Sequence, residues 1–217
     1  MTDYTSAFAE LGAATIGESG GHPMDPRVHA VWKGARVSGP AYPVACSATD
    51  NLGIHAAVAD APAGSVLVVS VDVGPPRGYW GEVLTTGAIA RGIAGLVIDG
   101  GVRDLDALEA HQFPVFATMV ALKGATKERH ARIGRAALVG DTDVERDDWI
   151  VGDADGVVVI PHDRLDAVLE AGRARAAKEQ QLFAELKAGK TTMELLNLSD
   201  EHVDRGNTAP PDMHGLV

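Results

Sequence analysis

Two short apolar runs, joined by one helical segment, constrain the fold of this chain most strongly. Residues 65–71 and 94–98 are apolar and rich in β-branched side chains without alternation, which is typical of strands covered on both faces. Between them, apolar residues recur at helical spacing from Val83 to Ile89, and Gly92 is placed to end a helix. The sequence therefore predicts a strand–helix–strand unit, and Asp99-Gly100-Gly101 is expected to end its second strand.

Charged residues come after both strands of this unit, at one edge of the predicted sheet. Parallel strands joined by a right-handed crossover have their carboxyl ends on the same edge of the sheet. Glu82 starts the helix that follows the first strand, and Arg103-Asp104 comes just after the second strand. Because ligands of open α/β sheets bind at that edge, we expect these groups to meet in one site.

The residue types at this edge suit an anion beside a cation. The first free amides of the helix, around Val83 and Leu84, form an anion site that the helix dipole favours. The planar fork of Arg103 suits a carboxylate or phosphate. Asp104 and Glu82 supply hard oxygen atoms, which suit Mg²⁺ or Mn²⁺ rather than zinc. Such a site could hold a 2-oxo acid and stabilise its enolate.

The same residues also permit a structural interpretation. An Arg-Asp pair after a Gly-Gly turn is common at a capped helix start, and Asp104 leads into the helical pattern LDALEA. Spacing alone leaves both interpretations open.

Other segments predict further elements. Residues 34–47 predict strands that break at Gly39-Pro40, and residues 149–160 predict a hairpin with Asp-Gly turn chemistry. A long helix is expected from Pro161 to about residue 188. We predict one α/β domain over residues 1–188, including that helix, and a C-terminal extension or tail over residues 189–217.

The segment WGEVLTTGAIARGIAGLVIDGGVRD resembles the signature of the RraA-like family. This family includes the class II 4-hydroxy-4-methyl-2-oxoglutarate/4-carboxy-4-hydroxy-2-oxoadipate aldolases and the regulators of ribonuclease E activity. Its hallmark is a Gly-Asp/Glu pair followed at a distance by Arg-Asp, which Gly81-Glu82 and Arg103-Asp104 match. Fainter similarity covers residues 35–161. The signature identifies the family and does not choose among its members.

The resemblance implies a fold and an assembly. Relatives have a layered β/β/α sandwich, similar to a swivelling domain, and here it would carry a C-terminal helical extension. The resemblance also implies a homotrimer or a hexamer made of two trimers, with sites at subunit interfaces. A glutamate from the neighbouring subunit's C-terminal region contributes to the site in relatives, and Glu179 is the candidate in this chain.

The resemblance further implies a divalent-metal-dependent lyase that acts on short 2-oxo acids. Asp104 would bind Mg²⁺ or Mn²⁺, and Arg103 with the Val83 and Leu84 amides would hold the pyruvyl carboxylate. Glu82, where many relatives have Asp, would orient a metal-bound water as the proton relay. Oxaloacetate decarboxylation passes through the same pyruvate enolate, so one site could perform both reactions.

Two alternatives share this signature. The first is a protein-binding regulator that docks on a basic segment of a ribonuclease or helicase. The second is a lyase for another hydroxy acid or sugar acid on the same site. Regulators of the family keep the Arg-Asp pair, so the signature does not separate them from enzymes.

Composition narrows the class of protein. The net charge is −11, from 30 acidic and 19 basic residues, which argues against direct nucleic-acid binding and leaves open a basic protein partner. Cys46 is the only cysteine and is expected to be a buried strand residue rather than a nucleophile. With no basic leader and no long apolar span, no membrane association is expected and the cytoplasm is the expected location.

Overall fold

A computed structural model of the chain describes residues 2–203 and residue 206. The chain forms two compact units, of which the first ends at Ala176 and the second begins at Ala177. In the described part of the chain the helices are α1 (Tyr4–Gly17), α2 (Leu52–Asp60), α3 (Glu82–Ala90), α4 (Leu105–Ala110), α5 (Leu165–Lys187) and α6 (Thr192–Leu195).

The strands of the first unit are mostly short. They are β1 (His22–Pro23), β2 (His29–Ala30), β3 (Val37–Cys46), β4 (Val66–Val71), β5 (Gly78–Trp80), β6 (Gly95–Val102), β7 (Val115–Val120), β8 (Ala131–Ile133), β9 (Ala137–Val139), β10 (Thr142–Val144), β11 (Trp149–Asp153) and β12 (Gly156–Ile160).

One curled mixed sheet contains ten of these strands, and β9 and β10 form a separate hairpin. The main order is β1-β12-β11-β3-β4-β6-β7-β2, with β5 also paired to β6 and β8 to β3. The strands β3, β4, β6 and β7 are parallel neighbours, whereas β11 and β12 form an antiparallel hairpin. The predicted strand–helix–strand unit is therefore β4-α3-β6, and the predicted hairpin is β11–β12.

Both faces of the central strands are buried, which explains why their sequences do not alternate. Leu67 and Val69 of β4 pack into one apolar cluster, and Val66 and Val68 pack into a second on the other face. The first cluster also contains buried side chains from α2, α3 and α4. Each fully buried Val or Leu side chain contributes roughly 1.5–3 kcal/mol relative to exposure. This double burial fixes the strand ends that carry the site.

The predicted break at Gly39-Pro40 was wrong, because β3 continues through it. Pro40 pairs with Trp149 of antiparallel β11, and the next residue, Ala41, pairs with Val66 of parallel β4. The proline thus lies where the pairing of β3 with β11 ends and its pairing with β4 begins. The missing N–H of proline is tolerated at such a position.

The predicted end of the second strand at Asp99-Gly100-Gly101 was also wrong, since β6 extends to Val102. The pairing of β6 with β7 shifts register between Ile98 and Gly101 instead of stopping. A side chain at Gly101 would overlap the carbonyl oxygen of Arg77, which lies just before β5. Glycine therefore allows β5 to pair closely with the end of β6.

A third apolar cluster lies on the β11–β12 hairpin. Phe8 and Ile16 of α1 pack there with Val158 of β12 and with Val168 and Leu169 at the beginning of α5. This cluster anchors the first turns of the long C-terminal helix to the first unit.

The second unit contains the end of α5 and the short helix α6. Thr191 and Glu194 form a reciprocal capping box at the beginning of α6. Every residue from 177 to 203 is at least partly exposed. Across the described residues, no helix combines the length and apolar character needed to cross a membrane.

Candidate active site

The end of β6 and the beginning of α3 are joined by direct hydrogen bonds. The Arg103 backbone N–H donates to the Trp80 carbonyl oxygen at 2.9 Å, and the Glu82 backbone N–H donates to Oδ2 of Asp104 at 3.0 Å. Trp80 is buried, and its indole N–H donates to the hydroxyl of Thr85 at 2.7 Å, which fixes the first turn of α3. The Arg-Asp pair is thus held against the helix start, as its place in the sequence predicts.

Close approach at this junction requires glycine. A Cβ at Gly81 would overlap Oδ2 of Asp104, and a Cβ at Gly78 would overlap the carbonyl oxygen of Ala121 while touching the Arg103 side chain. Asp104 itself lies in the left-handed region, with φ of 60°. Non-glycine residues in that region are uncommon and cluster at functional sites.

A pocket of about 180 Å³ opens at this junction. Val83, Leu84, Arg103 and Asp104, four of the residues predicted from the sequence, all line it. The structure therefore brings the predicted anion-binding groups and the predicted metal ligand into one cavity.

The groups that could bind an anion are available in this pocket. The backbone N–H groups of Val83 and Leu84 have no hydrogen-bond partner within the described residues, as expected for the first turn of a helix. Nε of Arg103 lies 3.6 Å from Oδ2 of Asp104, and its Nη1 donates to the Leu122 carbonyl at 3.5 Å. The rest of the guanidinium remains able to bind a carboxylate, and the helix dipole favours an anion at this end.

Glu82 is not one of the residues that line the pocket. Its backbone contacts Asp104, but its carboxylate lies 3.6 Å from Nε2 of His111, at the end of α4. Glu82 is therefore adjacent to the pocket, with a carboxylate that is more than half exposed. Glu179 lies on α5 in the second unit, and its assignment to the site stays a prediction.

Three further polar residues line the pocket. They are Asn51 and His55 from the beginning of α2, and Lys127 from the loop after β7. Burial, and to a smaller extent the positive charge of Lys127, lowers the pKa of His55 below its ordinary value of 6.5. His55 is therefore neutral at neutral pH.

A buried carboxylate fixes the loop that carries Lys127. Asp50 is 1% exposed, and its Oδ2 accepts hydrogen bonds from the Thr126 hydroxyl at 2.8 Å and the Glu128 N–H at 2.6 Å. Its Oδ1 accepts from the Leu52 N–H at 2.9 Å. Burial alone would raise the pKa of Asp50, but these donors outweigh it, so the pKa lies below the ordinary 3.8. Both residues that flank Lys127 are thus tethered.

The donor set of the pocket fits a weakly held hard cation. Within the described residues, no group of three or more His, Cys, Asp or Glu side chains is placed to hold a metal. Mg²⁺ nevertheless keeps several water ligands and binds proteins through one or two carboxylates. Asp104 has a second oxygen, Oδ1, without a hydrogen bond in the described structure, so it can serve as such a carboxylate.

The single cysteine lies apart from this chemistry. Cys46 is 3% exposed at the end of β3, and burial raises the pKa of its thiol to about 11. It is a protonated packing residue at neutral pH, which confirms the interpretation from its sequence surroundings.

Comparison with known protein families shows the family to which this chain belongs. Residues 12–159 match the model of the RraA-like family, described as Aldolase/RraA. The chain belongs to the RraA-like family. The family assignment predicted from the WGEVLTTGAIARGIAGLVIDGGVRD signature is confirmed.

One curated relative and one solved structure are similar to this chain. A Halalkalibacterium halodurans protein that bears the name "Putative 4-hydroxy-4-methyl-2-oxoglutarate aldolase" is 33% identical over 145 residues, which are 67% of this chain and 69% of that protein. A crystal structure of an uncharacterized Pseudomonas syringae pv. tomato protein superimposes with a TM-score of 0.78 at 24% identity, over 87% of this chain and 90% of that chain.

A third comparison concerns a regulator. The RNA-processing inhibitor RraA from Thermus thermophilis matches with a TM-score of 0.61 at 22% identity, over 74% of this chain and 94% of that chain. These structural matches confirm the predicted RraA-like α/β fold. At this identity they show the fold alone.

Proposed function

We propose that this RraA-like protein is a divalent-metal-dependent lyase that cleaves a carbon–carbon bond of short 2-oxo acids through a pyruvate enolate. The substrates proposed are acids of the 4-hydroxy-4-methyl-2-oxoglutarate type and oxaloacetate. One observation carries the proposal: Arg103, Asp104 and the free amides of Val83 and Leu84 line the same pocket. The name of the Halalkalibacterium relative supports the same class of reaction.

Binding of the substrate would begin at its 2-oxo carboxylate. The guanidinium of Arg103 offers paired N–H donors, and the Val83 and Leu84 amides add donors at the positive end of α3. The carboxylate would thereby be fixed at one end of the pocket, with the rest of the acid extending toward Lys127 and His55. A second carboxylate on the substrate suits the positive charge of Lys127.

Asp104 is the residue that would hold Mg²⁺ or Mn²⁺. A bound divalent cation supplies a Lewis acid that polarises the 2-oxo group and favours negative charge on its oxygen. The hydrogen bond from the Glu82 N–H to Oδ2 orients the carboxylate and leaves Oδ1 free to bind the cation.

The proton balance of the reaction assigns a role to Glu82. In the retro-aldol direction the C4 hydroxyl loses its proton, the C3–C4 bond breaks, and its electron pair forms the enolate of pyruvate. A proton then adds to C3 and gives the methyl group. We assign the Glu82 side chain to relay these protons through a water, because its backbone contacts Asp104 and its exposed side chain can turn from His111 toward the pocket.

We also propose that the protein assembles as a homotrimer or a hexamer, with Glu179 entering the site of a neighbouring subunit. Val83, which lines the pocket, and Leu122, whose carbonyl accepts from Arg103, support this proposal, since these apolar residues are 81% and 84% exposed. Large exposed apolar side chains grouped at one place favour an interface. Light scattering after size exclusion measures the assembly, and a monomer at micromolar concentration would contradict it.

The test of the lyase is release of pyruvate from oxaloacetate and from 4-hydroxy-4-methyl-2-oxoglutarate. Assays with Mg²⁺, with Mn²⁺ and with EDTA would be run on the wild type and on Asp104→Ala and Arg103→Ala. We expect metal-dependent release that both substitutions abolish, while Asp106→Ala, an exposed aspartate in the first turn of α4, retains it. Folded, metal-supplied protein that releases no pyruvate from either acid would refute these substrates.

The charge of the chain favours a second candidate, a protein-binding regulator. A net charge of −11 suits docking on a basic segment of a ribonuclease or helicase. The measurement is binding of purified protein to such a segment at physiological salt. Binding that is unaffected by Arg103→Ala, in a protein without lyase activity, would favour the regulator. If pyruvate release is absent and no segment binds, a wider panel of hydroxy acids and sugar acids tests the remaining alternative.

A further inference from the structure

Asn51, one of the residues that line the pocket, carries an unusual polar atom. Asn51 lines the pocket and is 6% exposed, yet its Oδ1 is buried without a hydrogen-bond partner in the described structure. It is the one buried side-chain nitrogen or oxygen atom of the described residues in this condition. An unpaired buried acceptor costs free energy. A ligand that donates a hydrogen bond to Oδ1 would remove this cost.

The side chain of Asn51 does not cap α2, although asparagine commonly has that role at the N-cap position. It is the N-cap of α2, where an asparagine oxygen ordinarily accepts from an N–H of the first turn, but no such side-chain bond is made. Its Nδ2 instead donates to the Tyr79 carbonyl at 2.8 Å. Only the amide nitrogen can donate to that carbonyl, so this contact fixes which end of the amide is Oδ1.

One strand positions two residues of the pocket. The Tyr79 carbonyl holds the side chain of Asn51, and the next carbonyl, that of Trp80, accepts from the Arg103 backbone N–H. Tyr79 and Trp80 are both buried in β5. Asn51 and Arg103 are therefore placed by consecutive residues of a fixed strand, and both line the same pocket of about 180 Å³.

The charges in the pocket indicate which kind of group can donate a hydrogen bond to Oδ1. Arg103 and Lys127 are both positively charged, so an ammonium group would be repelled. His55 is held neutral at neutral pH by burial and by Lys127. A hydroxyl group is the neutral donor that a short oxo acid can carry.

We infer that Asn51 is a specificity-determining residue whose Oδ1 accepts a hydrogen bond from the C4 hydroxyl of the substrate. This inference rests on the proposed lyase function. 4-Hydroxy-4-methyl-2-oxoglutarate carries that hydroxyl and oxaloacetate does not, so Asn51 favours the aldol substrate over the decarboxylation substrate. A site that hydrogen-bonds a substrate hydroxyl discriminates strongly against an analogue without it, because its own polar group is left unpaired.

The first test compares the two substrates in one variant. Asn51→Ala is expected to lower kcat/KM for 4-hydroxy-4-methyl-2-oxoglutarate by about tenfold or more relative to kcat/KM for oxaloacetate. Loss of the Tyr79 contact affects both reactions, so the ratio isolates the hydroxyl. Thr126→Val is the matched control, because Thr126 contacts the same turn through Asp50 and Thr49 but does not line the pocket. It should leave the ratio unchanged.

The second test needs neither turnover nor a stable variant. Calorimetric titration of the wild-type protein in EDTA compares 4-hydroxy-4-methyl-2-oxoglutarate with its 4-deoxy counterpart, 4-methyl-2-oxoglutarate. We expect the hydroxylated acid to bind about tenfold more tightly. Equal affinity, or no binding of either acid, overturns the inference.

The outcomes separate this inference from the proposed function. Absence of pyruvate release from wild-type protein with both acids refutes the lyase itself. If wild type is active and Asn51→Ala reduces both reactions equally, the lyase stands and Asn51 is not selective for the hydroxyl.

Discussion

The carboxylate of Asp104 accepts a hydrogen bond from the backbone N–H of Glu82 at 3.0 Å, so the second residue after β6 holds the first residue of α3. This contact converts two segments that are separate in sequence into one pocket wall. It also explains Gly81, since a side chain there would occupy the space of Oδ2. The site therefore depends on backbone fit as well as on its charged side chains.

The first prediction concerns Gly81→Ala. The added methyl group overlaps Oδ2 of Asp104, so the Glu82 contact must shift. We expect the free energy of unfolding to fall by about 1–3 kcal/mol, and pyruvate release to fall by about tenfold or more. Urea denaturation and the pyruvate assay measure the two effects.

Gly87→Ala is the control for that experiment. Gly87 lies inside the same helix, and a Cβ there would be in ordinary contact, 3.7 Å from Cγ1 of Val58. This change should raise the free energy of unfolding by about 0.5–1 kcal/mol without loss of activity. Equal activities of the Gly81→Ala and Gly87→Ala proteins would show that the Asp104–Glu82 contact is not needed.

The second prediction concerns Asp50→Asn. Asn offers one oxygen where Asp50 offers two to Thr126, Glu128 and Leu52, so at least one buried donor loses its acceptor. We expect a loss of about 1–3 kcal/mol in the free energy of unfolding at pH 7. Asp60→Asn, at the exposed end of α2, should change it little.

The pH dependence of the Asp50 effect has a definite sign. The folded-state pKa of Asp50 lies below its ordinary 3.8, so the unfolded chain binds the proton more readily. Its stabilising contribution is present above pH 3.8 and is lost as the pH falls through the folded-state pKa. If the difference in the free energy of unfolding between wild type and Asp50→Asn already vanished at pH 6, the lowered pKa of Asp50 would be contradicted.

The third prediction concerns His55. Burial and Lys127 hold its pKa below 6.5 in the folded protein, so the unfolded state binds the proton more readily below that pH. The stability of the wild type should therefore decrease as pH falls from 6.5, until the pH passes the lower folded-state pKa. Thermal denaturation of His55→Gln should show a smaller decrease over this range, whereas exposed His130→Gln should follow the wild type.

The parts of the fold that the sequence predicts are those encoded by local patterns. The unit β4-α3-β6 follows from apolar runs and one helical period, and Arg103-Asp104 follows from its place after a strand. The continuity of β3 could not be predicted, because it depends on Pro40 lying where two different partner strands meet.

The remaining pocket residues depend on contacts that are distant in sequence. Asn51 is positioned by Tyr79, 28 residues away, and the loop of Lys127 is held by the bond between Asp50 and Thr126, 76 residues apart. No periodicity or turn motif reports such contacts. An asparagine before an apolar helix predicts a cap, but in the structure its side chain donates to the Tyr79 carbonyl beside the pocket instead.

The measurement that tests the central claim most directly is exchange of the methyl protons of pyruvate in D₂O, followed by proton NMR. This exchange requires formation and reprotonation of the enolate at C3, and it does not depend on the distal part of the natural substrate. We predict exchange in the presence of Mg²⁺ or Mn²⁺ with wild-type protein, and none with Asp104→Ala. Folded wild-type protein that binds pyruvate with metal and leaves the methyl signal unchanged would contradict the assignment of this pocket to enolate chemistry.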